Sequence, residues 1–576
     1  MKVINSLFLD ELNDEFESHK NDVNKLKKLI DRLSKIKIFD PACGSGNFLI
    51  IAYKEMRELE MRIINQINKI DRQIYMKETG ISLDQFYGIE LKDFAQQIAK
   101  LSLWLIEKKM DFRFYNEFGH SKPLLPLVES SRIINGNATR LEWNEICGIS
   151  SEDEIYVLGN PPYLGSKVQD SEQRQDMDIV FKGIKKYKEL DYIACWFYKG
   201  AKFIKGYNAK CAFVSTNSIC QGEQVGLLWP NIFNQGIIID FAHTSFKWGN
   251  NAKKNAAVIC VIVGIVNNYE KNNRKIYQNN IVRVVKNINP YLIPGENIII
   301  KKTKKTISAL PPIFFGSMAN DNNNLLLSND AKEEIIRMNP NASKYIKKLI
   351  GAKQITQNQQ RWCIWLKDVE KDIINKIEEF NTRIDMVREY RLNSTREATR
   401  KLAQTPHLFG EIRQPQHNYI AIPRHSSEKR EYIPINMYTK DDIVNDSCMA
   451  VETNELWIMG VLMSYMHMLW VRTVGGRIKT DYRYSADICY NAFPFPNISN
   501  KKKDIISGYT IKVIEEREKN SGKTLAELYN PETMPLGLRE AHNNLNLVIE
   551  RCYIEKEFKT DEERLECLFK LYEEMI

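Results

Sequence analysis

Apolar positions follow two different periods along the first part of the chain. Helical spacing, with apolar residues three and four apart, covers 5–36 and 94–107. Short apolar runs of the β type lie outside these stretches, at 36–39, 85–90 and 154–158. Strands that alternate with amphipathic helices indicate an open α/β sheet. The sequence therefore predicts an α/β domain at the start of the chain, with the helices of 5–36 packed against it.

The first predicted strand leads into a glycine-containing turn, Asp40-Pro41-Ala42-Cys43-Gly44-Ser45-Gly46-Asn47-Phe48. A Gly-x-Gly turn before a helix lets the backbone approach a ligand at the helix N-terminus. A dinucleotide fingerprint needs a third glycine where this chain has Leu49, which disfavours NAD or FAD. Glu90 ends the next strand and is placed to accept hydrogen bonds from ribose hydroxyls. An ordinary surface glutamate fits that position equally well.

A second motif, Gly159-Asn160-Pro161-Pro162-Tyr163, follows the run at 154–158. The carboxyl end of a strand is where open α/β sheets bind ligands. The prolines restrict the backbone, so the Asn160 amide and the neighbouring carbonyls offer fixed acceptors to an amino group. Tyr163 adds a flat face on which a planar base can stack. These residues indicate a pocket for an amino group on a ring, and a simple proline-rich turn is the alternative.

Composition narrows the class of protein. A chain of 576 residues, 43% hydrophobic and 27% charged, is typical of a protein with several folded domains. The net charge of +9 gives weak support for a nucleic-acid partner. The 11 cysteines form no CxxC pair, so the sequence predicts neither a metal site nor disulfides and favours a reducing cytoplasm. The longest apolar run, 256–266, is too short to cross a membrane and no signal peptide is evident.

From about residue 290 onward, basic and aromatic residues are interleaved, as at Arg361-Trp362, Arg424-His425 and Arg472–Tyr484. Such a surface can neutralise phosphates and read bases, although a solvated charged face is the alternative. A predicted helix from about Lys367 to Leu402 would direct several arginines toward DNA phosphates. These arginines are Arg383, Arg388, Arg391, Arg396 and Arg400.

The two motifs together, Asp40 to Phe48 and Gly159 to Tyr163, resemble those of the S-adenosylmethionine-dependent amino-methyltransferases of DNA. More narrowly, the chain resembles the methyltransferase and target-recognition portion of the MmeI-type restriction-modification enzymes. The resemblance extends nearly from end to end. It includes Gln85–Glu90, Asn160–Lys167, Arg361–Leu366, Ile422–Glu428, Gly475–Pro496 and Leu525–Leu545.

The resemblance implies a Rossmann-like, seven-stranded class I methyltransferase sheet, with S-adenosylmethionine as the cofactor and double-stranded DNA as the partner. It implies methylation of adenine N6 at a specific site. The strand at 256–263 would complete the antiparallel edge after a turn at Phe246-Lys247-Trp248. Phe246 and Trp248 would line the base pocket or, as is more common for lone aromatics, belong to the core.

Residue roles follow from the same resemblance. The implied cofactor contacts are Asp40, Ala42, Gly44, Gly46 and Glu90, with Asn137 near the cofactor adenine. The implied catalytic residues, which would hold the flipped target adenine, are Asn160, Pro161, Pro162 and Tyr163. The candidate DNA-binding residues are Arg424, Arg477, Lys479, Asp481 and Arg483.

Three domains are expected: a catalytic domain at 1–290, an α+β target-recognition domain at 291–498 and a helical C-terminal region at 499–576. Two departures from the family are expected to matter. No nuclease or helical spacer is found before Asp40, and neither is the Tyr-Thr segment that precedes the position of Leu7 in the family. We therefore expect no DNA cleavage by this chain alone, and a separate nuclease or spacer chain is a candidate partner.

Two other functions are compatible with parts of the sequence. Methyltransferases that act on glutamine amides of proteins share the Asn-Pro-Pro-Tyr motif, but the long stretch at 290–496 argues against them. A DNA-binding specificity subunit with an impaired cofactor site, dependent on a partner chain, is the second alternative. A cofactor-binding assay separates that subunit from an active enzyme.

Overall fold

The computed structural model of the chain describes residues 1–71, 78–119, 132–248, 258–268, 273–279, 281–478 and 480–576, without the side chains of residues 247, 248 and 258. The chain forms two compact units, Met1–Ile299 and Ile300–Ile576.

The first unit is built on a sheet with nine described strands. In spatial order these are β3, β2, β1, β4, β5, β7, β6, β8 and β9. The first five in that order are parallel to one another, whereas β7 is antiparallel to both of its neighbours. The strands are β1 (Ile36–Asp40), β2 (Phe86–Glu90), β3 (Arg132–Asn135), β4 (Glu154–Gly159), β5 (Ala209–Thr216), β6 (Ile237–Trp248), β7 (Val258–Asn267), β8 (Arg274–Gln278) and β9 (Ile281–Val285).

Helices connect most of these strands. A π-helical turn, Asn5–Leu9, lies between the first two helices. The helices of this unit are α1 (Lys2–Ile4), α2 (Asp10–Ser18), α3 (Val23–Leu33), α4 (Asn47–Asp71), α5 (Asp93–Phe118), α6 (Trp143–Ile146), α7 (Ser171–Val180), α8 (Ala194–Ile204) and α9 (Gly222–Phe233).

The central strands form the core of the unit. In β4 every residue from Ile155 to Gly159 is buried. In β1 every residue except Lys37 is buried. Strands covered on both faces by helices are nearly continuous apolar runs, which is why the sequence pattern located them. Their carboxyl ends, at Asp40 and Gly159, therefore lie at the same edge of the sheet.

The predicted α/β class is confirmed, and the sheet has nine described strands where seven were expected. The hairpin of β8 and β9 continues the sheet beyond β6. The predicted turn at Phe246-Lys247-Trp248 is wrong, because these residues are the last part of β6 and pair with β7 as far as Trp248. Irregular pairing at Ile239/Phe241 and His243/Phe246 lets this long strand bend without a turn.

The second unit contains three small sheets, in the orders β10-β18-β14-β16, β11-β13-β12-β17 and β15-β20-β19. The strands are β10 (Ile313–Phe315), β11 (Leu326–Leu327), β12 (Ile346–Ile350), β13 (Trp362–Ile364), β14 (Tyr419–Pro423), β15 (His425–Ser426), β16 (Asn436–Tyr438), β17 (Ile443–Val444), β18 (Cys448–Glu452), β19 (Gly476–Ile478) and β20 (Asp481–Arg483).

The helices of the second unit lie between and after these strands, and the last part of the chain is helical as predicted. They are α10 (Asn329–Met338), α11 (Ala352–Gln357), α12 (Lys371–Ile374), α13 (Glu378–Leu392), α14 (Glu397–Lys401), α15 (Leu456–Leu462), α16 (Tyr465–Val474), α17 (Asn500–Lys519), α18 (Leu525–Leu528), α19 (Leu536–Tyr553) and α20 (Asp561–Met575).

The single helix expected from Lys367 to Leu402 is three helices, α12, α13 and α14. Extended backbone at Ile377 begins α13, and extended backbone at Arg396 begins α14. The arginines of this stretch therefore do not share one helical face.

Candidate active site

The turn between β1 and α4 is shaped by two glycines with left-handed backbone. Gly44 has φ +56° and Gly46 has φ +83°, conformations that side chains other than glycine rarely adopt. A Cβ at Gly46 would also lie 3.2 Å from the Cβ of Ala99 on α5. The nitrogen of Cys43 donates to the carbonyl of Ile89, 3.1 Å away, which fixes the turn against β2. The turn is thus a rigid, partly buried cradle at the start of α4.

Glu90 at the end of β2 closes one side of this cradle. One carboxylate oxygen accepts a hydrogen bond from the Gly44 nitrogen at 2.9 Å, and the other accepts from the Lys92 nitrogen at 3.0 Å. The carboxylate is therefore oriented by two backbone groups. Each oxygen retains a further lone pair for a ligand hydroxyl.

Asp40, at the end of β1, is completely buried. Its Oδ1 accepts a hydrogen bond from the Ala42 nitrogen at 3.0 Å, whereas its Oδ2 has no hydrogen-bond partner. Burial raises the pKa of this carboxyl to about 8, and the negative charge of Glu90 adds to the rise. A Cβ at Gly159 would lie only 2.6 Å from Oδ1, so glycine is required where β4 passes Asp40. The two motifs of the sequence meet at this contact.

The segment after β4 presents an unpaired acceptor. Oδ1 of Asn160 is buried and has no hydrogen-bond partner, which is rare for a buried amide oxygen. Pro161 is buried, Pro162 is exposed and Tyr163 is half-buried. Burial raises the pKa of Tyr163, and the neighbouring Cys260 adds to the rise. This short segment therefore carries both an unpaired acceptor, on Asn160, and a partly exposed aromatic ring, on Tyr163.

Hydrogen bonds from outside the segment hold it in place. The Leu164 nitrogen donates to Oδ1 of Asp191 at 2.8 Å, and the Tyr192 nitrogen donates to the Leu164 carbonyl at 3.0 Å. On the other side, the indole nitrogen of Trp196 donates to the Pro41 carbonyl at 3.1 Å. Both motifs are thus attached to α8 and to the residues just before it.

Asn137 follows β3, but its side chain is occupied within the protein. Its Oδ1 accepts from the Thr139 nitrogen at 3.0 Å and from the Thr139 hydroxyl at 2.6 Å. Its Nδ2 donates to Asp176 at 3.0 Å. Asp176, buried on α7, also accepts from Arg140 and Tyr192. The sequence analysis missed Asp176, because nothing local marks an aspartate that joins a helix to a distant turn.

Of the two aromatic residues considered for the pocket, only Phe246 can be placed. It lies in β6, packs against the core of the first unit and has the Lys2 ammonium 4.8 Å from its ring centre. The side chain of Trp248 lies outside the described residues.

In the second unit, β19 and β20 form a hairpin that pairs with β15. Tyr482 is buried, whereas Asp481 and Arg483 on either side of it are exposed. The Arg477 guanidinium lies 4.5 Å from the Tyr482 ring centre and donates to the Thr480 carbonyl at 3.0 Å. Asp481 and Arg483 therefore project from the same outer face of the hairpin.

Two other candidate DNA contacts differ in availability. Arg424 donates from one guanidinium nitrogen to the Asp446 carbonyl at 2.8 Å and lies 4.8 Å from the Phe315 ring centre, so part of its guanidinium is already engaged. Lys479, which follows Ile478 in the sequence, lies outside the described residues.

Arg391 does not face DNA, which corrects the expectation for this arginine of α13. It is fully buried, and its guanidinium makes five hydrogen bonds of 2.8 to 3.0 Å. Burial lowers the pKa of Arg391. The acceptors are the carbonyl oxygens of Ala319, Asn320, Leu402, Thr405 and Leu408.

Comparison with known protein families gives matches along most of the chain. The models of the MmeI DNA-methyltransferase domain, target recognition domain and C-terminal domain match residues 16–278, 294–497 and 498–576. The solved structure of the type IIL restriction-modification enzyme MmeI in complex with DNA superposes with a TM-score of 0.89 at 38% identity. The match includes 100% of this chain and 77% of the MmeI chain. The chain belongs to the MmeI family.

Curated relatives agree with the MmeI assignment. DNA methyltransferase A of Bacillus subtilis (strain 168) is 46% identical over 576 residues. The match includes 100% of this chain, which spans 65% of the length of that relative. A putative type II restriction enzyme and methyltransferase of Methanocaldococcus jannaschii is 41% identical over 196 residues, 32% of this chain and 15% of that protein. Within the described parts of the chain, none of the helices is long and apolar enough to cross a membrane.

Proposed function

We propose that this chain is a site-specific DNA methyltransferase of a restriction-modification or defence system, which transfers a methyl group from S-adenosylmethionine to adenine N6. The observation that carries the proposal is the buried, unpaired Oδ1 of Asn160 at the end of β4, beside the cradle that follows β1. An exposed amino group on a flipped base is a donor that fits this acceptor.

The cradle fits the proposed cofactor. Gly44 and Gly46 let backbone approach a ligand closely, and Glu90 has lone pairs left for ribose hydroxyls. The orphaned Oδ2 of Asp40 offers a buried polar group to a ligand. Ala42 lies in this turn, and its nitrogen donates to Asp40. Because the Asn137 amide is occupied, Asn137 would contribute to the cofactor adenine site through backbone and shape rather than through its side chain.

The cofactor, when bound, supplies an electrophilic methyl group. Asn160 Oδ1 and the Pro161 carbonyl would each accept one hydrogen of adenine N6, which directs the nitrogen lone pair away from the ring. Pro162 keeps this segment rigid, and Tyr163 stacks on the base with a contact of roughly 1 to 3 kcal/mol. Positioning of the two reactants in line supplies several kcal/mol more without a charged base.

The remaining parts of the chain would select the DNA site. We assign catalysis to 1–290, target recognition to 291–498 and a bracing role to 499–576. Arg477, Asp481 and Arg483 of the β19–β20 hairpin would contact base edges or phosphates, together with Lys479 and Arg424. A separate nuclease or spacer chain remains a candidate partner for cleavage.

The experiment is expression of the chain in a bacterial host without DNA methylation, followed by modified-base sequencing and mass spectrometry of nucleosides. We expect N6-methyladenine at one recurring motif, and none with Asn160→Ala. Methylated cytosine instead would refute adenine as the target. Absence of any modification, together with absence of S-adenosylmethionine binding by the purified protein, would favour the specificity subunit.

A further inference from the structure

Helix α5 is apolar on two opposite faces. Its inward face contains Gln96, Ala99, Leu103, Met110 and Phe114, all buried against the rest of the unit. These positions are three, four and seven residues apart, as expected for the buried stripe of a helix. A helix of this kind normally has a polar outer face, and α5 does not.

The outer face carries large apolar side chains in contact with solvent. Five of them are between 51% and 78% exposed: Phe94, Leu101, Leu105, Phe112 and Tyr115. Ile98 is partly exposed on the same face. Single exposed apolar residues are common on protein surfaces, but a row of them along one helix is a mark of an interaction site.

The row has the spacing of a coiled-coil seam. The intervals alternate between four and three residues, which is the heptad repeat of positions that face a partner helix. We call these seven residues the outer seam: Phe94, Ile98, Leu101, Leu105, Lys108, Phe112 and Tyr115. At a rise of about 1.5 Å per residue the outer seam is about 33 Å long.

Six of the seven residues of the outer seam pair with one another when the seam is reversed, and Tyr115 falls opposite the partner's Leu91, which precedes α5. In an antiparallel pair centred on Leu103, Leu101 lies opposite the partner's Leu105 and Phe94 lies opposite the partner's Phe112. Ile98 then meets the partner's Lys108, whose aliphatic stem covers it while the ammonium reaches solvent. Leucine meets leucine and aromatic meets aromatic, so the register is defined by the sequence.

Charge distinguishes this arrangement from a parallel one. A parallel pair in register would place Lys108 against the partner's Lys108, which is unfavourable. In the antiparallel pair, no two residues of the same charge face each other among the residues named next, which flank the seam. Gln97 faces the partner's Asp111, and Ala95 faces the partner's Lys109.

We propose that the outer seam of α5 docks a second copy of this chain as an antiparallel helix pair. Such an interface is isologous, so the same face serves both copies. Its footprint of about 33 Å by about 10 Å on each copy is small beside the roughly 1,200 Å² of total area that specific complexes bury. The dimer is therefore expected to be weak and to form as the concentration rises.

The first test is the mass of the full chain in solution across a range of concentrations, by sedimentation or light scattering. We expect a shift from 67.2 kDa toward twice that value in the wild type. Leu105→Asp should keep the protein at 67.2 kDa at every concentration. Leu536→Asp is the matched control, because Leu536 is also exposed but lies at the start of α19, and it should dimerise like the wild type.

The second test fixes the register by disulfide formation and does not depend on the charged variant. Phe94→Cys and Phe112→Cys proteins, mixed and oxidised mildly, should form a cross-linked heterodimer. Phe94→Cys alone should not, because the two copies of residue 94 would be about 27 Å apart. Nine of the native cysteines are buried, which keeps background cross-linking low.

Each result decides the proposal. A wild-type protein that stays monomeric, or Phe94→Cys that links to itself, would overturn it, and the outer seam would then belong to another helix. Neither result bears on methyl transfer, because the active-site residues take no part in the seam. Failure of the dimer and failure of the proposed enzyme are thus separable.

Discussion

The carboxylate of Glu90 lies 2.9 Å from the backbone nitrogen of Gly44, which joins the end of β2 to the turn after β1. Its second oxygen is held by the Lys92 nitrogen. The side chain is therefore oriented before any ligand arrives, and it helps to hold the turn. Preorganisation of this kind lowers the entropic cost of binding.

Replacement of Glu90 by glutamine should weaken binding of S-adenosylmethionine. An amide has one acceptor atom instead of two and no charge, so at least one hydrogen bond to the carboxylate is lost. Charge-assisted hydrogen bonds contribute about 1.5 to 3 kcal/mol, which corresponds to at least about a tenfold rise in Kd. Calorimetric titration measures the effect, and Glu145→Gln, an exposed residue of α6, is the control. Equal affinities of the two variants would contradict the assignment.

Asn160→Ala should abolish methylation without destabilising the fold. Because Oδ1 of Asn160 has no partner in the protein, its removal breaks no hydrogen bond and relieves an unsatisfied buried acceptor. We expect the melting temperature to change by less than about 2 °C and cofactor binding to persist. Differential scanning fluorimetry and a methyl-transfer assay on duplex DNA measure the two properties. A large loss of stability would mean that Asn160 has a structural role instead.

Asp40 should make stability fall with pH. Its carboxyl has a pKa of about 8 in the folded chain, against an ordinary value of 3.8. Above about pH 4 the unfolded chain releases this proton while the folded chain retains it. The stabilising contribution is thus complete below pH 4 and is lost progressively up to about pH 8, by at most about 1.4 kcal/mol per pH unit.

Asp40→Asn isolates this effect, because the amide does not titrate and its oxygen can still accept from Ala42. The melting temperature of the wild type relative to Asp40→Asn, measured without cofactor between pH 5 and pH 8, should fall as the pH rises. Parallel curves would show that the Asp40 carboxyl is not protonated in the folded chain.

The parts of the fold that the sequence revealed are those set by local pattern. The runs at β1, β2 and β4 are buried on both faces, and the glycine and proline motifs at their ends need particular backbone. The hairpin of β8 and β9 was missed because its strands are short and many of their apolar residues are partly exposed. The last part of α5, from 108 to Phe118, was missed because charged residues interrupt the apolar spacing there.

Long-range contacts were also beyond sequence reasoning. The aspartate at position 176 has no local signal, yet it joins Asn137, Arg140 and Tyr192. Arg391 has the sequence context of a surface arginine, and only the loops folded around it supply its five carbonyl acceptors. Both interactions join residues distant in the chain, and a pattern of spacing contains no information about them.

Arg391→Lys should destabilise the second unit strongly. A lysine has three donors for the five carbonyl oxygens that Arg391 now satisfies, and each unsatisfied buried group costs about 1 to 3 kcal/mol. Arg388→Lys on the same helix is the control, because Arg388 is exposed and pairs with the exposed Asp385. Thermal unfolding should show a fall of several degrees for the first variant and almost none for the second. Equal melting temperatures would contradict a structural role for Arg391.

Arg483 and Asp481, which project from the same face of the hairpin, should differ in their effect on DNA binding. If Arg483 contacts a phosphate, Arg483→Ala should weaken binding to all sequences and reduce the slope of log K against log salt by about 0.9. Asp481 cannot be attracted to a phosphate, so Asp481→Asn should leave that slope unchanged and relax the preference at one base pair, where a carboxylate accepts from cytosine N4. Fluorescence anisotropy at several salt concentrations measures the slopes, and modified-base sequencing reveals the sites. If Asp481→Asn changes the slope and leaves the methylated site unchanged, the assignment of base recognition to Asp481 is contradicted.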